Sequence, residues 1–159
     1  MNIFSIKNKG FILIEAIIGV SILAFSLLGV ISVGQAFLRL SFQSFQTTQA
    51  SFLLEEGEEA TRALRDESWN NIGNLTVGTK YYLNFSGGKW STSTAISKID
   101  NIYYRYVTIS NVNRDNTTAD IVNSGGTLDI GTKKITTTVT WNTSMGTSTK
   151  TAMVYLTNI

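Results

Sequence analysis

Lys9-Gly10-Phe11-Ile12-Leu13-Ile14-Glu15 opens the stretch that decides the fold of this chain, and an almost unbroken apolar run follows it to Leu38. The only ionisable side chain between Phe11 and Leu38 is Glu15. As a helix at about 1.5 Å per residue, 11–38 is roughly 40 Å long. That is enough to cross a hydrocarbon core of about 30 Å. The uncharged centre runs from Ala16 to Gly34. Lys7 and Lys9 lie on its amino side, so the positive-inside rule keeps the N-terminus cytoplasmic and the rest outside. A carboxylate inside a membrane-length segment is costly, which makes Glu15 a candidate functional residue.

The helical pattern continues past Leu38. Ala50, Leu54, Gly57, Thr61 and Leu64 fall three to four apart, with Leu53 and Ala60 alongside, as in an amphipathic stripe. The other face carries Glu55, Glu56, Glu58, Glu59, Arg62, Arg65 and Asp66. Adjacent residues on a helix point in different directions, so these glutamates do not converge on a metal or a substrate. They read as a solvated face. Residues 39–49 are polar and contain no helix breaker. One long helix over about 11–67 is expected, with an amphipathic part over about 39–67.

After Trp69-Asn70-Asn71-Ile72-Gly73 the period changes. Residues 80–85 and 102–109 are rich in aromatic and β-branched side chains, as strands are. Residues 134–141 alternate, with Ile135, Val139 and Trp141 in step. Residues 149–157 alternate again, with Ala152, Val154 and Leu156 in step. Asn142 to Gly146 has turn composition, which predicts a C-terminal antiparallel hairpin. Gly87-Gly88 and Gly125-Gly126 punctuate the remaining loops. The expected fold class is α+β, a long N-terminal helix packed on a small antiparallel sheet over about 75–159.

Composition removes several functions. There is no cysteine and no histidine. Disulfide scaffolds and thiolate zinc sites are excluded, and the commonest general base is missing. An enzyme would need carboxylates or a Ser/Lys pair in a pocket, and no spacing suggests one. No catalytic residue, no cofactor and no metal are expected. Asn111, Asn113 and Asp115 alternate like the first half of a calcium loop, but Val122 stands where the bidentate glutamate belongs. The four Asn-x-Ser/Thr matches at Asn74, Asn84, Asn116 and Asn142 reflect a chain rich in these residues. Trp90 reads either as an exposed binding aromatic or as a lid on the core. The formal net charge is +2, and Lys7 and Lys9 supply the excess, so nucleic-acid binding is not indicated by net charge.

The junction at 9–15 resembles the class III signal of prepilins, the type IV pilin and pseudopilin family. Those precursors carry a Gly before the cut, a Phe after it, and a Glu as the fifth mature residue. The resemblance implies a cleavable leader at 1–10, a transmembrane and assembly helix at 11–38, and a globular head at 39–159. It implies cleavage between Gly10 and Phe11 by a prepilin peptidase, methylation of the Phe11 amine, and a role for Glu15 in assembly. Other pilin or pseudopilin subunits, an inner-membrane platform and membrane lipid are the implied partners. Localisation would be the cytoplasmic membrane, then an extracellular or periplasmic filament. In such a filament the freed amine meets an apolar bundle, where a carboxylate compensates it. Many major pilins carry a proline near mid-helix; Ser32 stands about there, which leans towards a minor pilin or pseudopilin.

Two other readings of the N-terminus compete. A cleaved secretory signal would have a shorter apolar run and small residues at its end, and Gln35-Ala36-Phe37 is a poor site. A generic single-pass anchor would leave Glu15 snorkelling to the interface, and the head would then be a surface-binding protein or adhesin that does not polymerise.

Overall fold

The computed structural model describes residues 9–144 and 146–159. Lys7 and most of the proposed 1–10 leader lie outside the described residues. Helix α1 spans Lys9–Glu67 without a break. A short α2, Asn70–Gly73, follows. Six strands complete the chain: β1 Tyr81–Ser86, β2 Lys89–Ser93, β3 Tyr103–Arg114, β4 Ile121–Val122, β5 Thr127–Thr143 and β6 Gly146–Thr157. They form one antiparallel sheet in the order β2-β1-β3-β5-β6, with β4 beside β3. This is the α+β, pilin-like arrangement of a long helix on a small sheet. The chain forms two compact units, one ending at Phe45 and the other running Gln46–Ile159.

Within the second unit the amphipathic stripe is the buried face of the helix. Ala50, Leu53, Leu54, Ala60, Thr61 and Leu64 are all buried. Ala60 and Leu64 join Ile72, Leu83, Val107, Ile109, Ile135 and Leu156 in one core cluster. Ala50, Leu53 and Leu54 join Tyr103, Val139 and Trp141 in a second. Polar contacts also fasten the same helix. The Tyr103 hydroxyl donates to the Gln46 carbonyl at 3.2 Å, and the Lys150 ammonium donates to Ser51 Oγ at 2.6 Å. Burial pushes the Tyr103 hydroxyl above its ordinary range, with Asp100 adding to the effect.

The C-terminal hairpin forms in an unbroken register from Thr132↔Thr157 to Thr143↔Gly146. Two strands were not legible in the alternation. Gly87 and Gly88 close a hairpin between β1 and β2, both with positive φ, at 60° and 80°. A two-residue turn with both φ values positive matches the right-handed twist of its strands and favours glycine. Strand β2 reads Lys-Trp-Ser-Thr-Ser, too polar to stand out as a strand. Strand β4 has two residues, too few to display any period.

Gly57 sits where α1 comes closest to the sheet. A Cβ there would lie 2.7 Å from the Thr137 methyl and 3.2 Å from Arg105 Cδ. Thr137 is fully buried and its methyl is one bond from Cβ, so it has little room to yield. Gly57→Ala gains helix propensity of about 1 kcal/mol but overpacks this contact, which costs about 1–3 kcal/mol. A net loss of about 1 kcal/mol is expected, read as a lower melting temperature by circular dichroism. A higher one would mean that the helix does not approach the sheet this closely.

Candidate functional site

Lys9 and Gly10 open α1 and Phe11 follows inside it, so the proposed cleavage junction lies on helical backbone. Phe11 is 77% exposed. Every residue from 11 to 42 is exposed. This helix is long and apolar enough to cross a membrane, by length and composition. Among the described residues nothing buries this apolar surface, and a bilayer or other apolar helices would do so.

The polar side chains of this segment satisfy themselves locally. Ser21, Ser26 and Ser32 donate to the carbonyls of Ile17, Ile22 and Leu28, four residues back, at 2.7–2.8 Å. Serine bonded in this way presents no open donor to lipid. Ser32 therefore continues the helix without the kink that a proline would impose. Glu15 differs from the serines. It is exposed and forms no ion pair among the described residues. Its carboxylate is available to a partner supplied from elsewhere. Gly19, Gly29 and Gly34 are likewise unoccupied: a Cβ at any of them would meet nothing within 4 Å. No described residue packs against these small positions.

On the head, the row of glutamates is not wholly a solvated face. Glu56 pairs with Arg105 of β3 at 2.7 Å. Arg105 is 4% exposed. Its Nη1 also donates to the Leu53 carbonyl at 3.3 Å, and its guanidinium lies 5.3 Å from the Trp90 ring centroid. The missing side chain of Gly57 leaves room for the arginine stem on its way to Glu56. Arg105 Nε has no hydrogen-bond partner among the described residues. Trp90 is half-buried against the first core cluster, so it acts as a lid on the core. Glu58 and Glu59 both face Arg62 along the helix, which is a local surface arrangement.

The calcium-like segment is used otherwise. Asn111 and Asn113 lie in β3, where Asn111 accepts from Lys133 and Asn113 donates to the Gly125 carbonyl. Asp115 accepts from the backbone amides of Thr117 and Thr118, which hold its carboxyl below the usual range. Asp129 is held low by the Thr132 hydroxyl and by Arg114, whose Nε donates to it at 2.7 Å. Among the described residues no group of three or more His, Cys, Asp or Glu could hold a metal. No family model, no curated protein and no solved structure matches this chain.

Proposed function

We propose that this protein is a structural subunit, of the minor kind, of a type IV pilus or a related pseudopilus. It inserts into the cytoplasmic membrane through 11–38 with the N-terminus inside and the head outside. A prepilin peptidase cuts between Gly10 and Phe11, the new amine is methylated, and an assembly platform draws the subunit into a filament with its neighbours. It does no catalysis of its own.

One observation carries this reading. The Lys9-Gly10-Phe11 junction, with Glu15 at a fixed offset, opens a single unbroken helix whose apolar surface is exposed from 11 to 42 and whose Glu15 forms no ion pair among the described residues. A generic anchor explains the apolar surface but gives no reason for the junction. In a bundle of processed helices, Glu15 meets a Phe11 amine, its own or a neighbour's, and neither charge is left uncompensated in an apolar setting.

Mass spectrometry of the N-terminus, on protein taken from membranes of cells with an active prepilin peptidase, tests the reading. The expected chain begins at a methylated Phe11. An intact leader, or a cut beyond Ala36, returns the protein to the class of single-pass binding proteins or secreted ones.

A further inference from the structure

The charges of the head are sorted by face. Acidic side chains crowd the helix between Glu55 and Glu67, while the sheet face turned away from α1 carries Lys80, Lys98 and Lys134. Along β3 the buried Tyr103, Arg105 and Val107 face the helix, so Tyr104 and Tyr106 between them face outward. Lys80 holds its ammonium 4.6 Å from the Tyr106 ring centroid, and Lys98 holds its own 5.2 Å from that of Tyr104. Lys134 lies on the same face, in register with Ser110 on one side and Tyr155 on the other. None of these three lysines forms an ion pair among the described residues. The other lysines of the head are engaged elsewhere: Lys89 with Glu67, Lys133 with Asn111 and Lys150 with Ser51. No Asp or Glu takes an outward position in β1 or β6, in β3 or in the 131–143 part of β5. The nearest carboxylate in sequence, Asp100, lies in the β2–β3 connection.

We infer that this outward face binds single-stranded nucleic acid, with Lys80, Lys98 and Lys134 on phosphates and the Tyr104 and Tyr106 rings under bases. Net charge hides this face, because it sums an acidic helix with a basic sheet. Charge complementarity selects a polyanion. The two tyrosines narrow the choice further. They stand two residues apart on one strand, about 6.6–6.8 Å along it, and aromatic rings spaced along an antiparallel sheet beside cations are how open sheets stack successive bases. Both capping lysines are exposed on flexible stems, so each can leave its ring for a phosphate as a base arrives. Binding at this face does not depend on whether the chain polymerises.

The test uses the full chain in detergent micelles and a labelled oligothymidylate, followed by fluorescence anisotropy across a salt series. The triple variant Lys80→Gln, Lys98→Gln, Lys134→Gln should lose at least about tenfold in affinity, and its log–log salt slope should fall by about 2. Tyr104→Leu should lose about tenfold. A control triple with the same change in charge, Lys89→Gln, Lys133→Gln, Lys150→Gln, should stay within about threefold of the parent. None of the six lysines is buried, so all these chains fold. Equal losses in both triples would mean that binding follows net charge alone, and the inference would be wrong. It also fails if the first triple binds like the parent. A parent that binds heparin and ignores oligothymidylate overturns it in favour of an anionic polysaccharide.

Discussion

Leu54→Asp unfolds the head. Leu54 is 8% exposed, in the core cluster with Tyr103, Val139 and Trp141. The substitution forfeits about 1.5–3 kcal/mol of apolar burial. It also places a carboxylate among the apolar side chains of this cluster, which costs several kcal/mol more unless the group takes up a proton. A domain of this size is stable by about 5–15 kcal/mol, so the combined loss consumes most of the margin. Residues 40–159, freed of the apolar segment, should give a soluble monomer with a cooperative melt, and the Asp variant should show no such melt near room temperature. Phe52→Asp is the matched control. Phe52 is 60% exposed, two residues away on the opposite face, and its replacement should shift stability by no more than about 0.5 kcal/mol. Like effects at both positions would mean that the helix does not use this face against the sheet.

Glu15→Gln keeps the shape of the side chain and removes its charge. Membrane insertion should be unaffected or improved, because the segment becomes more apolar. Head folding should also be unaffected, because Glu15 lies outside the compact unit of residues Gln46–Ile159. Incorporation into filaments should fall. A Phe11 amine left without its carboxylate in an apolar bundle costs about 3–5 kcal/mol, or about two orders of magnitude or more in the equilibrium. Comparison of membrane-bound and sheared surface fractions for the parent, Glu15→Gln and Glu15→Ala reads this directly. Assembly of Gln at the parental rate would rule out charge pairing. If Ala assembles as well, Glu15 only snorkels, and the generic anchor becomes the better reading.

These two residues mark what kinds of information the chain carries. Leu54 is legible as a core residue from spacing alone, because the 3.6-residue rhythm of Ala50, Leu54, Gly57, Thr61 and Leu64 states which side of a helix is dry. The change of period after Gly73 and the alternation in the C-terminal hairpin are legible for the same reason: each is a local rhythm of apolar side chains, and burial on one face of a helix or strand imposes that rhythm directly. The membrane-length run is legible instead from its length and lack of interruption.

The sequence by itself therefore determined the α+β class, the apolar N-terminal helix with its single carboxylate, and the helix face that packs. Only the tertiary structure decided which residues meet. Glu56 looked like one more solvated charge until Arg105, 49 positions on, was brought under it past the bare Cα of Gly57. Trp90 stood in a polar stretch until the Gly87-Gly88 hairpin laid it over the same arginine. Lys80, Lys98 and Lys134 gave no common signal until the pairing of β3 with β5 and the contacts of Lys80 and Lys98 with the Tyr106 and Tyr104 rings put them on one face. The physical reason is the same in each case. Periodicity records whether a side chain is exposed, which its neighbours in sequence dictate, whereas its contacts are set by strand order and register, which depend on packing across the whole head.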